Sequence, residues 1–213
     1  MDNIKKYLIA IPCQDTIPTP TVASLVSLFS VGASKFSFLS NALVYDARNM
    51  LAREAIETGA DRILFIDSDI VFEPTLMERL AADLDDGMDL VSGLYVKRRL
   101  PTIPVLYKTA EVVEVDGCQK GRTQSYTDYP KDQVFEVAAC GFGAVMMNVE
   151  MLRAVCETYQ APFAPMPGVF GEDISFCYRA RQLGYKLYCD SRIKLGHVGT
   201  TVFTEKHYLM QEA

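Results

Sequence analysis

The residues with the clearest chemical potential are two pairs of carboxylates. The first closes an apolar run, Ile63-Leu64-Phe65-Ile66-Asp67-Ser68-Asp69. If that run is a buried strand that stays extended, Asp67 and Asp69 leave its C-terminal end on one side, because side chains two apart share a face. Two carboxylates converging on one point suit Mg2+ or Mn2+, hard cations that keep further positions for substrate phosphates. An acidic turn after a strand explains the same residues without a metal. The second pair, Glu172-Asp173, heads a helical segment that closes at Gly184. Acids at a helix start complement its dipole and cap free N–H groups. A carboxylate fixed there is also able to accept a proton from a hydroxyl, provided that it faces the cation site.

The elements that must position these residues follow from the apolar spacing. Residues 7–13 predict a short buried strand ending at a proline, and the stretch from about Asn41 to Thr58 a helix stopped by Gly59. Arg62–Ile66 is a second strand, Pro74 a first helical residue with its helix running to about Leu84, and Asp89–Leu94 a third strand. Strand, helix, strand, helix, strand predicts an α/β fold, a mostly parallel sheet flanked by helices.

The second half is less regular. Glu111–Val115 predicts a strand entering an Asp116-Gly117 turn, and the polar stretch from Cys118 to Asp132, with Tyr126 and Tyr129, a mobile loop. Gln133–Ala139 is a further strand, broken by Gly141-Phe142-Gly143, with a helix from about Val149 to Tyr159. Two short strands near 185–189 and 192–195 complete the pattern, and Met146, Met147 and Met151 are expected in the core. No linker is long enough to separate domains. One domain over residues 1–213 is expected, its halves (about 1–95 and about 96–213) sharing a core.

The composition narrows the function. The 213 residues are 49% hydrophobic and 23% charged, which is ordinary for a globular chain. Lys and Arg total 21 against 27 Asp and Glu, a net charge of −6, which speaks against general binding to nucleic acid or anionic lipid and leaves room for a local basic pocket. The six cysteines include no C-x-x-C pair and predict reduced thiols in a cytoplasmic protein. Lys5-Lys6 before residues 7–13 has the outline of a signal peptide, but the apolar part is too short and contains Pro12. The uncharged stretch from Thr16 to Ser34 carries two prolines and four serines, so a loop and half-buried helix are expected there, not a transmembrane segment.

The two carboxylate pairs, in this order, look like a glycosyltransferase of the GT-A fold, in the broad family 2-like group. Asp67-Ser68-Asp69 matches its D-x-D motif, and Ala47-Arg48-Asn49 resembles its A-R-N segment. The stretch CGFGAVMMNVEML, from Cys140, resembles its glycine-containing strand, and GEDISFCYRARQLGYKL, from Gly171, its E-D helix. The resemblance implies a metal-dependent hexosyltransferase that moves a sugar from a nucleotide-diphosphate sugar, UDP- or GDP-linked, to an acceptor hydroxyl of a carbohydrate or other molecule. Asp67 and Asp69 would hold Mn2+ or Mg2+, with His197 as a further ligand or else a plain loop histidine. Pro12, Cys13, Gln14, Arg48 and Ser68 would line the nucleotide, and Gly141, Phe142 and Gly143 the acceptor site. Asp173 would be the general base, with Glu172 orienting the acceptor or holding Asp173. The run Tyr95-Val96-Lys97-Arg98-Arg99, after the third strand, is either a basic surface turn or a source of a cation for the diphosphate.

Two other classes fit part of this pattern. A haloacid-dehalogenase-like phosphatase also ends a strand in D-x-D, with Asp67 as nucleophile, but there the motif opens the domain. A non-catalytic nucleotide-sugar-binding module needs the pocket alone and no base.

Overall fold

The computed structural model describes residues 5–28 and 34–210; positions 29–33 of the uncharged stretch lie outside the described residues. In chain order the elements are β1 (Tyr7–Pro12), α1 (Thr19–Leu28), β2 (Ser34–Leu39), α2 (Val44–Glu57), β3 (Arg62–Ile66), β4 (Ile70–Val71), α3 (Leu76–Asp85) and β5 (Leu90–Leu94). They continue as β6 (Leu106–Val115), β7 (Cys118–Ser125), β8 (Val134–Val137), β9 (Ala139–Cys140), β10 (Ala144–Asn148), α4 (Val149–Tyr159), α5 (Glu172–Gln182) and β11 (Leu187–Lys194). The last are β12 (Gly196–Val198), β13 (Val202–Phe203) and α6 (Glu205–Leu209).

Among the described residues a seven-stranded sheet runs in the order β2-β1-β3-β10-β5-β11-β8. β2, β1, β3, β5 and β11 point one way, while β10 and the edge strand β8 run against their neighbours. The apolar runs are continuous because both faces of the sheet are covered. On one face Leu8, Ala10, Ile63 and Phe65 pack with Leu51 and Ala55 of α2 and Phe176 of α5. On the other, Ile9, Ile11, Leu64 and Ile66 meet Leu25 of α1 and Leu76 and Leu80 of α3. β10 lies between β3 and β5, so the two halves of the chain interleave in one core. Met146, Met147 and Met151 are buried in it.

Several expectations are corrected. Residues 118–125 are not a loop: β7 pairs with β6 along its length in a hairpin. The turn is Asp116-Gly117, with φ of 51° and 73°, the two-residue geometry that matches strand twist. Its polar composition reflects exposure, not want of structure, since nearly every residue of β7 faces solvent. The two late strands are one, β11, with an irregular register between Asp190 and Lys194. α3 starts at Leu76, with Pro74 in the preceding turn. Tyr129 is buried and donates to Glu205 Oε1 at 2.6 Å, tying the 126–133 segment to α6. All six cysteines are unpaired. Among the described residues no helix is long and apolar enough to cross a membrane.

Candidate functional site

A cleft of about 350 Å3 opens at the C-terminal ends of β1 and β3, where open α/β sheets bind ligands. Pro12, Cys13 and Gln14 form one wall, continuing from β1, and Ala47 and Arg48 of α2 another. Asp67, Ser68 and Asp69 form the floor, and Arg98 and Glu172 the far side.

The two aspartates reach the cleft by a route that their spacing did not predict. β3 stops at Ile66, and Ile70 N donates to Asp67 O at 3.2 Å, so residues 67–70 turn instead of extending. The turn is clamped on both sides. Asp67 N donates to Gly143 O at 2.9 Å, and Val198 N donates to Asp69 O at 2.8 Å. The second clamp belongs to a small sheet, β13-β12-β4, in which His197 pairs with Ile70. That pairing carries a histidine from the far end of the chain to the Asp69 carboxylate.

Arg48 organises the other side. It is buried, with Nη2 donating to Asp67 Oδ1 at 2.6 Å and Nη1 to Glu172 Oε1 at 2.9 Å. Its guanidinium lies 5.3 Å from the centroid of Phe142. Burial opposes the Arg48 charge, but Asp67, Asp173 and Glu172 more than offset that cost and raise its pKa. The next residue, Asn49, accepts Phe163 N at 3.0 Å and fixes the segment that leads to α5.

The carboxylates are tuned apart. Burial raises Asp67, and Arg48 only partly offsets the effect. Burial also works to raise Asp69, but the hydrogen bond and charge of His197, with the charge of Arg98, bring it below the ordinary carboxylate value. Asp173 is half-buried, its Oδ1 accepting from Ile174 N at 2.8 Å. Burial, and then the neighbouring charge of Glu172, push its pKa up to about 6. Tyr95 lies between the pairs, its buried phenol held well above its usual pKa by burial and by Asp67 and Asp173.

His197 is oriented by a carbonyl. Val96 O can only accept, so Nδ1 carries the proton of that 2.9 Å hydrogen bond, and Nε2 faces Asp69 Oδ2 at 3.3 Å. An imidazole lone pair and a carboxylate face each other only with a proton or a cation between them. Among the described residues no group of three or more His, Cys, Asp or Glu side chains is arranged to hold a metal ion. The pair Asp69 and His197, beside an Asp67 with one oxygen committed to Arg48, offers an incomplete donor set. Such a set fits Mg2+ or Mn2+ that takes its remaining ligands from phosphate and water.

The three residues read as an acceptor wall lie under the cleft, not in it. Phe142 is fully buried among Phe65, Phe163 and Phe176. Gly143 supplies the carbonyl that anchors Asp67. A Cβ on Gly141 would stand 1.9 Å from the Tyr95 hydroxyl. Gly141→Ala is therefore expected to cost about 1–3 kcal/mol, as overpacking does. Adding Tyr95→Phe should recover part of the loss in thermal denaturation; no recovery would place the strain elsewhere. Arg98, from the run after β5, is the cation of that run that reaches the cleft, whereas no spacing shows the place of buried Tyr95 beside Asp67 and Asp173, because the fold and not a motif sets it.

No family model matches the chain, and no curated protein matches it. Among solved structures it is similar to "Crystal Structure of A197 from STIV". The TM-score is 0.67 at 21% identity, over 91% of this chain and 86% of that one. The likeness shows the fold. It extends the mixed α/β architecture to a second protein across nearly the whole chain.

Proposed function

We propose that the chain is a metal-dependent glycosyltransferase of the GT-A type, transferring a hexose from a nucleoside-diphosphate sugar to an acceptor hydroxyl. The observation that carries the reading is the meeting, at one sheet edge, of Asp69 with His197 and of Arg48 with Asp67 and Glu172, beside an Asp173 raised to about 6. Pro12, Cys13 and Gln14, which line the cleft with Ser68, would contact the nucleotide. Asp69 and His197 would hold Mn2+ or Mg2+, which as a Lewis acid supplies neutralisation of the departing diphosphate.

The chain's own residues account for the rest. Asp173 accepts the acceptor's hydroxyl proton as that oxygen forms its bond to the anomeric carbon. The bond from that carbon to the diphosphate breaks, and its electron pair leaves on the phosphate oxygen. A base whose pKa lies near 6 is ionised at neutral pH yet still basic enough to take the proton. Glu172, held by Arg48, keeps a negative charge beside it and so maintains that basicity. Attack from the side opposite the leaving group makes the reaction inverting.

The test is thermal unfolding with UDP, GDP, CDP and dTDP, each with and without Mn2+. Saturation at 100 times Kd stabilises a protein by about 2.7 kcal/mol, which at roughly 2–4 °C per kcal/mol is a rise of about 5–11 °C. The expected result is a rise for one nucleotide that requires the metal. No rise with any of them, or a trapped phosphoryl group on Asp67, would overturn the reading.

A further inference from the structure

The cleft holds two arginines, and they are built differently. Arg48 is fixed: its side chain is 3% exposed and bridges two carboxylates. Arg98 is 58% exposed and has one ion-pair partner among the described residues, Asp69 Oδ2, at 2.5 Å from Nη1. That oxygen is the one His197 Nε2 faces at 3.3 Å. Arg98 thus presents its positive charge to the oxygen at which a divalent cation would bind.

The backbone beneath Arg98 is braced, so the side chain can move without the turn moving. Lys97 N donates to Ile103 O at 2.9 Å, and Val105 N donates to Tyr95 O at 3.1 Å. The Val96 carbonyl in the same segment orients His197. Arg98 Cβ also packs close to the backbone at Gly199, where an added Cβ would stand 3.3 Å away. An exposed ion pair of this kind is weak and easily exchanged. Guanidinium, in contrast, matches the oxygens of a phosphate group well, often through two hydrogen bonds at once.

We infer that Arg98 is an exchangeable counter-ion: it neutralises Asp69 while the cleft is empty and transfers to the diphosphate when donor and divalent cation enter. The inference rests on the transferase reading and makes Arg98 a diphosphate-binding residue that also sets the affinity for free metal. Electrostatics then order binding. Free Mn2+ must compete with a resident guanidinium, whereas Mn2+ arriving with a nucleoside diphosphate brings the anion to which Arg98 moves. The device disfavours occupation by metal alone and favours the complex of metal with donor.

The experiment compares wild type, Arg98→Gln and Arg98→Lys in two calorimetric titrations. The first uses Mn2+ alone. Arg98→Gln should bind it roughly two- to fivefold more tightly than wild type, as expected for removal of an exposed competing charge. The second uses UDP, GDP, CDP and dTDP, each separately, at saturating Mn2+. For whichever of these wild type binds, Arg98→Gln should bind about tenfold more weakly, the scale of one lost hydrogen bond to a charged group. Arg98→Lys, which keeps the charge without the planar fork, should stay near wild type for Mn2+ and lie between the two for the nucleotide.

Opposite signs in the two titrations are the signature, because damage to the cleft would weaken both together. If wild type binds Mn2+ and nucleotide but Arg98→Gln changes neither, or weakens both, the exchange is wrong and the transferase reading stands. If wild type binds none of UDP, GDP, CDP and dTDP in the presence of Mn2+, both are overturned.

Discussion

Replacing Asp173 by asparagine should lower kcat by about 10²–10⁴-fold, the usual contribution of a positioned general base, while the protein becomes more stable at neutral pH. The two effects have one cause. The carboxylate is half-buried and close to Glu172, and these surroundings raise its pKa to about 6 from an unfolded value of 3.8. The folded state therefore holds the Asp173 proton more tightly than the unfolded chain. Between about pH 4 and pH 6 the native state binds more protons, and stability falls as pH rises through that window. Above it the ionised carboxylate carries a constant penalty, on the order of 1–3 kcal/mol. Asparagine removes the penalty and keeps an oxygen to accept from Ile174 N.

The pH profile separates this from a merely structural role. A base must be ionised to act, so kcat/KM of the wild type should fall about tenfold per pH unit below roughly pH 6 and level off above it. The groups around Asp173 that shape that inflection are Glu172, Arg48 and Asp67. Glu172→Gln takes away the nearby negative charge and should move the inflection to lower pH. Donor binding in the presence of Mn2+, followed by calorimetry, should be unchanged in Asp173→Asn. A variant that loses donor affinity and turnover together, without gaining stability, would show that Asp173 supports the cleft and is not its base.

These arguments turn on residues that differ in how openly the sequence displays them. Asp67 and Asp69 are legible because they follow the end of an apolar run, which lies at the edge of a sheet, and the Glu172-Asp173 pair because it heads a helical segment. The strand and helix alternation up to Leu94 is legible for the same reason. β10 is not, because its apolar run passes without a turn into the apolar stripe of α4. β2 is hidden by its serines, and β7 by a polarity that exposure explains equally well. His197 stands in a suggestive place, yet its partner is set by the β4–β12 pairing between strands over a hundred positions apart in the chain. Tyr95 and Arg98 depend on the same kind of non-local closure. The turn at residues 67–70 shows the limit most directly: two aspartates two apart do share a site, but through a turn and not through the strand geometry that suggested it.

Removing Arg48 should be the most destabilising single change at the site, and it tests the electrostatic design without reference to turnover. Arg48→Met keeps roughly the length but removes the guanidinium over the Phe142 ring and leaves Asp67, Glu172 and Asp173 near one another without it. Deleting one partner of a buried ion network costs about 3–5 kcal/mol, which for a chain of this size is a midpoint roughly 6–20 °C lower. The cost should depend on pH in a definite direction. Without Arg48 the carboxylates hold their protons to higher pH, so the deficit shrinks as the solution is acidified and grows towards neutrality. Arg48→Lys should fall between, because one ammonium keeps the charge but cannot fork to carboxylates on two elements. Converting the acids with it, as in Arg48→Met with Asp67→Asn and Glu172→Gln, should recover most of the loss, since a neutral set has no charges left unpaired. A deficit under about 1 kcal/mol, flat with pH, is the behaviour of a solvent-screened surface pair. It would mean that the cleft floor is wet, and that burial does not set the basicity of Asp173.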